Sequence, residues 1–278
     1  MKRICARMLL AKGTSLEASI QKGTSCTLRK VVGMMMLALL LLASFSPPKE
    51  IHLTIDGRDR LAYVVAPSAH KNSKPPVIFM FHGHGGSALR CMNRFEMEKH
   101  WPEAVVVYCD GLPINGGGGI APGWEIDTIE RNRDIKYFDA LLPEVLSEYH
   151  ADPKKVFAWG FSNGGMFMYT LWTMRPNKIA AFCASGACFA NDDIHLDVPK
   201  PAFITLSGND PIVPPSYQEA AFKQVEKTDR SAKNGKSFGV GGTMLAGAKP
   251  VVVWRYNGGH EFPFESFPKL IQFFKSIQ

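Results

Sequence analysis

Apolar runs of strand length recur along the chain at 77–81, 104–109, 155–159, 180–184, 202–207 and 250–255. Unbroken runs of this kind predict strands buried on both faces, since a half-exposed strand would alternate apolar with polar. Between them lie stretches with helical periodicity, at about 134–149, 164–175, 216–227 and 266–277. Ahead of them, Ile51-His-Leu-Thr-Ile and Leu61-Ala-Tyr-Val-Val flank Asp56-Gly57 and predict a β-hairpin over 50–66. Alternation of strand and helix predicts an α/β fold: a mostly parallel central sheet with helices on both faces and an N-terminal antiparallel hairpin. Such sheets bind ligands beyond the carboxyl ends of their strands.

Two segments break the pattern. Residues 111–124 hold Gly116-Gly-Gly-Gly119 and end in Gly123-Trp124, which reads as a binding loop too glycine-rich for the core. Trp124 then either stacks on a substrate ring or packs under the loop. Residues 231–249, rich in lysine and glycine, read as a flexible surface excursion.

The chemistry concentrates where the run 155–159 drives into Gly160-Phe161-Ser162-Asn163-Gly164 and on into a helical pattern. A serine on a sharp strand-to-helix turn needs small neighbours, because the chain passes close to itself there; this is the sequence form of a nucleophile elbow. An elbow serine requires an acid and then a histidine later in the chain. Asp210 follows the run 202–207 in Gly208-Asn-Asp-Pro-Ile-Val-Pro, and His260 follows 250–255 in Asn257-Gly-Gly-His-Glu-Phe-Pro. A serine hydroxyl becomes a competent nucleophile when an imidazole takes its proton and a buried carboxylate holds that imidazole in one tautomer. Upstream, the run 77–81 ends in His82-Gly83-His84-Gly85-Gly86, which fits an oxyanion loop. The N–H of Asn163 would pair there with that of His84 or Gly85. His82 and His84 precede the serine and so read as structural or oxyanion-loop residues, not as the base.

Taken together, His82-Gly83-x-Gly85, Gly160-Phe-Ser-Asn-Gly-Gly-Met, Gly208-x-Asp210-x-x-Val213-Pro214 and Gly258-Gly259-His260-x-x-Pro263 resemble the secreted polyhydroxybutyrate depolymerase and feruloyl esterase group of the α/β-hydrolases. The likeness runs from about residue 60 to the last residue and takes in Gly123-Trp124 and Arg133-Asp134-Ile-Lys-Tyr-Phe. It implies Ser162, Asp210 and His260 as a triad, no cofactor, and hydrolysis of polyhydroxybutyrate-type polyesters or, alternatively, of feruloyl or acetyl esters on plant polysaccharide. A serine peptidase and a silent hydrolase-fold binding protein are the remaining alternatives. His84 stands where members of the group often carry cysteine or threonine.

Length and charge add boundaries. At 278 residues without an internal repeat, the chain suits one catalytic domain over 47–278 behind a leader over 1–46. Arg29-Lys30 precede a 16-residue uncharged run, followed by Pro47-Pro48, which predicts an export signal and a secreted or periplasmic protein, with an uncleaved anchor as the alternative. The formal net charge of +7 arises largely in that leader, so a nucleic-acid partner is not expected. Neither is a metal: the histidines lack zinc-site spacing. Cys91, Cys109, Cys183 and Cys188 permit disulfides in an exported chain or buried free thiols equally. A monomer acting on an ester substrate is the expected form.

Overall fold

A computed structural model describes residues 47–69, 74–127 and 130–277. The expected leader over 1–46 lies outside the described residues. Strands β1 (Lys49–Ile55) and β2 (Arg58–Val65) form the N-terminal hairpin. They are followed by β3 (Val77–Phe81), α1 (Ala88–Phe95), α2 (Met97–His100), β4 (Val105–Cys109), β5 (Leu112–Gly116), β6 (Gly119–Gly123), α3 (Arg133–Glu148), β7 (Val156–Phe161) and α4 (Asn163–Met174). The chain continues through β8 (Ala181–Ser185), β9 (Ala202–Ser207), α5 (Pro215–Asp229), β10 (Lys236–Ser237), β11 (Gly242–Leu245), β12 (Val251–Tyr256) and α6 (Phe267–Ser276).

Ten of these strands make one sheet in the order β1-β2-β4-β3-β7-β8-β9-β12-β11-β10. The six central strands, β4 to β12, run parallel, and the pairs at either edge are antiparallel. The central runs are apolar because both faces are covered. On β3, Phe79 and Phe81 join a core with Phe138 of α3 and Phe167 of α4, while Ile78 and Met80 join a second core with Phe273 and Phe274 of α6. Side chains that alternate across the pleat thus feed two separate apolar layers.

Three expectations change. Helix α1 fills 88–95, where none was expected; Ser87 caps it, its Oγ accepting from the N–H of Arg90, and Ala88, Cys91 and Phe95 are its buried face. The glycine-rich segment is a paired hairpin, Leu112 opposite Gly123 and Gly116 opposite Gly119, not an irregular loop. The excursion over 231–249 is in part an extension of the sheet, since β11 pairs with β12 through Thr243–Val253 and Met244–Val252. Glycine and lysine mask that pairing in the sequence, because only a four-residue strand carries it.

Among the described residues no helix is long and apolar enough to cross a membrane. The four cysteines at 91, 109, 183 and 188 are free thiols.

Candidate active site

Ser162, Asp210 and His260 lie immediately beyond the carboxyl ends of β7, β9 and β12, three strands of the parallel set. Ser162 has φ 56° and ψ −123°, a left-handed backbone that a residue with a Cβ adopts only where its surroundings impose it. Two contacts impose it here. The Ser162 N–H donates to the Ser185 carbonyl at 2.9 Å, and the turn is so tight that a Cβ on Gly160 would collide with the Gly164 carbonyl, or one on Gly164 with the carbonyls of Phe81 and His82. The strain lifts the hydroxyl above the sheet edge.

There the Ser162 Oγ is 2.8 Å from His260 Nε2, and His260 Nδ1 is 2.8 Å from Asp210 Oδ2. The Asp210 side chain is sealed from solvent, while that of His260 is 18% exposed. A buried carboxylate needs donors, and Asp210 has them: its Oδ1 accepts from the N–H groups of Ile212 and Val213 at 2.8 and 2.9 Å, and its Oδ2 also accepts from Gln218 Nε2 at 3.0 Å. The Gln218 side chain, fully buried on the first turns of α5, also donates to the Val213 carbonyl and accepts from the Ser207 N–H, so it ties the end of β9 to the Asp210 turn. Sequence reasoning missed Gln218. Its signal was a polar residue at a core position, in helical spacing with Ala221, Phe222 and Val225.

The early loop is braced by His82. Its Nε2 accepts from the Gly111 N–H at 3.0 Å, which leaves Nδ1 as the protonated nitrogen facing the Gly83 carbonyl at 2.8 Å. Both ring nitrogens are therefore engaged in holding backbone. The Asn163 N–H opens helix α4 and lacks a partner within that helix, and the helix dipole adds positive charge at the same point. Of the two loop donors expected opposite it, Gly85 is not available: its N–H donates to the Pro122 carbonyl at 2.8 Å, because strand β6 docks on this loop. His84 remains the loop's candidate donor, and its ring packs under the Gly116 turn of the hairpin.

Trp124 takes the second of its two expected places, packed in the core, and not the substrate-binding one. Its side chain is wholly buried between Phe81 and Phe167, with Nε1 donating to the His82 carbonyl at 2.8 Å, so the indole cannot stack on a substrate ring. Its backbone is gripped instead by the Asn163 side chain, which accepts from the Trp124 N–H at 2.8 Å and donates to its carbonyl at 3.2 Å.

In front of Ser162 opens a cleft of ≈ 1020 Å³. Apolar walls come from Ile114, Ile126, Met166, Phe189, Ile212 and Val213, and polar groups from Glu125, Asp127 and Arg133. Arg133 fastens the hairpin that forms one wall, its guanidinium donating to the carbonyls of Leu112 and Pro113 at 3.2 Å each. Among the described residues, no three His, Cys, Asp or Glu side chains gather as a metal site.

The sheet order, the elbow and the cleft at the carboxyl edge are those of the α/β-hydrolase fold, which this chain has. The prolyl oligopeptidase family matches residues 103–201, a stretch that holds the elbow and ends before Asp210 and His260. The chain is 30% identical over 173 residues to a bifunctional acetylxylan esterase/xylanase, XynS20E, of Neocallimastix patriciarum, a match covering 59% of this chain and 23% of that protein. It is 25% identical over 222 residues to feruloyl esterase C of Emericella nidulans, covering 74% and 77% of the two chains. Among solved structures, an acetyl xylan esterase from Aspergillus awamori superposes with a TM-score of 0.61 at 14% identity over 82% of this chain and 99% of that one.

Proposed function

We propose that the protein is a serine-dependent carboxylic ester hydrolase. The observation that carries this reading is the continuous chain from Ser162 Oγ through His260 to Asp210, with 2.8 Å at each link, on a left-handed serine at the head of a helix. In the proposed reaction Ser162 Oγ attacks the ester carbonyl while His260 Nε2 takes its proton. The N–H groups of Asn163 and His84 hold the resulting oxyanion, and His260 returns the proton to the departing alcohol. Water then attacks the acyl-enzyme with His260 again as base, releasing the acid and free Ser162. Asp210 keeps the imidazole in the required tautomer throughout. These steps use no cofactor.

For the substrate we favour acetyl or hydroxycinnamoyl esters on plant polysaccharide, which the acetylxylan and feruloyl esterases among the similar proteins support. A wide cleft with both apolar and ionic walls suits a ring-bearing acyl group with a sugar beside it. A hydroxybutyrate-type polyester is the second reading, supported by the aliphatic side chains of Ile114, Ile126, Ile212 and Val213 around the serine. Export of the protein behind residues 1–46 belongs to the same proposal.

Assays on acetylated xylan, methyl ferulate, hydroxybutyrate oligomers and p-nitrophenyl acetate, with Ser162→Ala alongside, test the reading. The serine mechanism requires a loss of about 10⁶-fold in kcat. Turnover that survives the substitution, or peptide cleavage without ester cleavage, would overturn it. The best natural-type ester decides between polysaccharide and polyester.

A further inference from the structure

Four adjacent parallel strands are each entered past a lysine: Lys154 before β7, Lys178 before β8, Lys200 before β9 and Lys249 before β12. The amino ends of these strands lie side by side, as the pairs Phe157–Ala181, Phe182–Ala202 and Ala202–Val251 show. Lysines up to 95 positions apart in sequence therefore collect at the sheet edge opposite Ser162. They surround a cleft of ≈ 290 Å³ whose lining, among the described residues, includes Asn177 and no carboxylate.

This concentration of positive charge is only partly offset from within the described residues, by the Coulombic attraction between Asp229 and Lys249. None of the four ammonium groups is in an ion pair there. Two nearby carboxylates, Asp152 and Asp229, also accept from backbone amides. Asp152 Oδ1 accepts from the Lys154 N–H at 2.9 Å, and Asp229 Oδ1 accepts from the Lys249 N–H at 2.6 Å while its Oδ2 takes the Ser231 hydroxyl. Lys200 is only partly exposed, and its burial, together with the like charge of Lys249, holds its pKa below the ordinary lysine value. A group of lysines lining a shared concavity, one of them partly desolvated, presents a positive potential that a multivalent anion would relieve.

We propose that this cleft is a binding site for a compact multivalent oxyanion, phosphate or a polycarboxylate. Lysine suits the task as a mobile point charge that adapts to either geometry, where arginine would impose a planar fork. The site is independent of the ester chemistry, being at the other edge of the sheet.

The test uses the full chain, titrated with sodium phosphate and separately with sodium citrate against sodium chloride at equal ionic strength, followed by calorimetry and by thermal unfolding. A ligand that binds only the folded state raises the unfolding temperature in step with its concentration. Phosphate or citrate should bind with a saturable signal that chloride lacks, and the stronger of the two identifies the chemistry. The double variant Lys200→Gln, Lys249→Gln should weaken that binding by about tenfold or more, as expected when charges facing an anion are removed. Without ligand it should unfold at the same or a higher temperature, because a repulsion has gone. A second pair, Lys154→Gln with Lys178→Gln, should weaken binding too and guards against misfolding of the first. Equal responses to chloride and the multivalent anions, or binding unchanged in both double variants, would overturn the proposal.

Discussion

Asp134 and Asp210 both have side chains sealed from solvent, one facing a guanidinium and the other an imidazole. Asp134 Oδ1 stands 2.7 Å from Arg60 Nη2, and Arg60 lies 4.0 Å over the Tyr137 ring, so that the pair is packed inside the fold. Asp134 Oδ2 accepts from the Glu125 N–H, joining the segment after β6 to the start of α3. Asp210 is held mostly by neutral donors, and its one titratable partner, His260, reaches out to Ser162. A guanidinium stays charged throughout, so the first carboxylate keeps a constant partner and serves the architecture. In the proposed mechanism the imidazole gains and loses its proton, so the second carboxylate meets a partner whose charge changes.

Substitution should separate the two roles. Asp210→Asn, which keeps the shape but offers the imidazole the wrong hydrogen-bond pattern, should lower kcat by about 10⁴-fold while circular dichroism and unfolding temperature stay near wild type. A similar loss in Asp134→Asn, measured per folded molecule, would erase the distinction. Arg60→Ala should instead leave the Asp134 charge buried and unpaired, costing about 3–5 kcal/mol. For a domain of this size that is a fall of roughly 10 °C in unfolding temperature, with kcat of the surviving folded protein largely kept. Gln218→Ala should sit between the two, because it removes one of Asp210's donors and the tie to β9. We expect a loss of about tenfold to a hundredfold in kcat and a stability cost of about 1–3 kcal/mol, with Gln218→Glu failing to restore activity since it places a second carboxylate beside Asp210. The smallest effect concerns the thiols. Burial pushes the pKa values of Cys91, Cys109 and Cys183 upward, so they stay protonated at mildly alkaline pH. Native protein at pH 8 should take up iodoacetamide slowly at these three and faster at the partly exposed Cys188, and denaturation should abolish the difference.

The sequence revealed the site by order and setting, and concealed it where contacts are non-local. Ser162, Asp210 and His260 were legible because each follows a continuous apolar strand and is announced by glycine, a local signal of a tight turn. Gln218 was not, since nothing near it in sequence says that its amide reaches Asp210 eight residues earlier. Trp124 was ambiguous between cleft and core for the same reason: its place depends on the carbonyl of His82, 42 positions away. Gly85 looked like an oxyanion donor until β6 docked on it, a pairing hidden by a run of glycines that carries no alternation. Helix α1 did carry a signal, Ala88, Cys91 and Phe95 behind a capping serine, but eight residues give a periodicity little room to declare itself.

The hairpin of β5 and β6 meets the edge that carries Ser162 through the Gly85 bond to Pro122, the Arg133 bonds to Leu112 and Pro113, the grip of Asn163 on Trp124 and the packing of its Gly116 turn on the His84 ring. Its turn, Gly116 to Gly119, pairs with none of the strands that precede Ser162, Asp210 and His260 but packs on the His84 ring. The wall of the cleft therefore meets the proposed machinery at the loop that holds His84 and Gly85, and an engineer varying residues 117–120 has to leave Gly116, which bears on the His84 ring, in place. On the proposed function, regrafting that tip would retune which esters enter while Ser162, His260 and Asp210 keep their spacing.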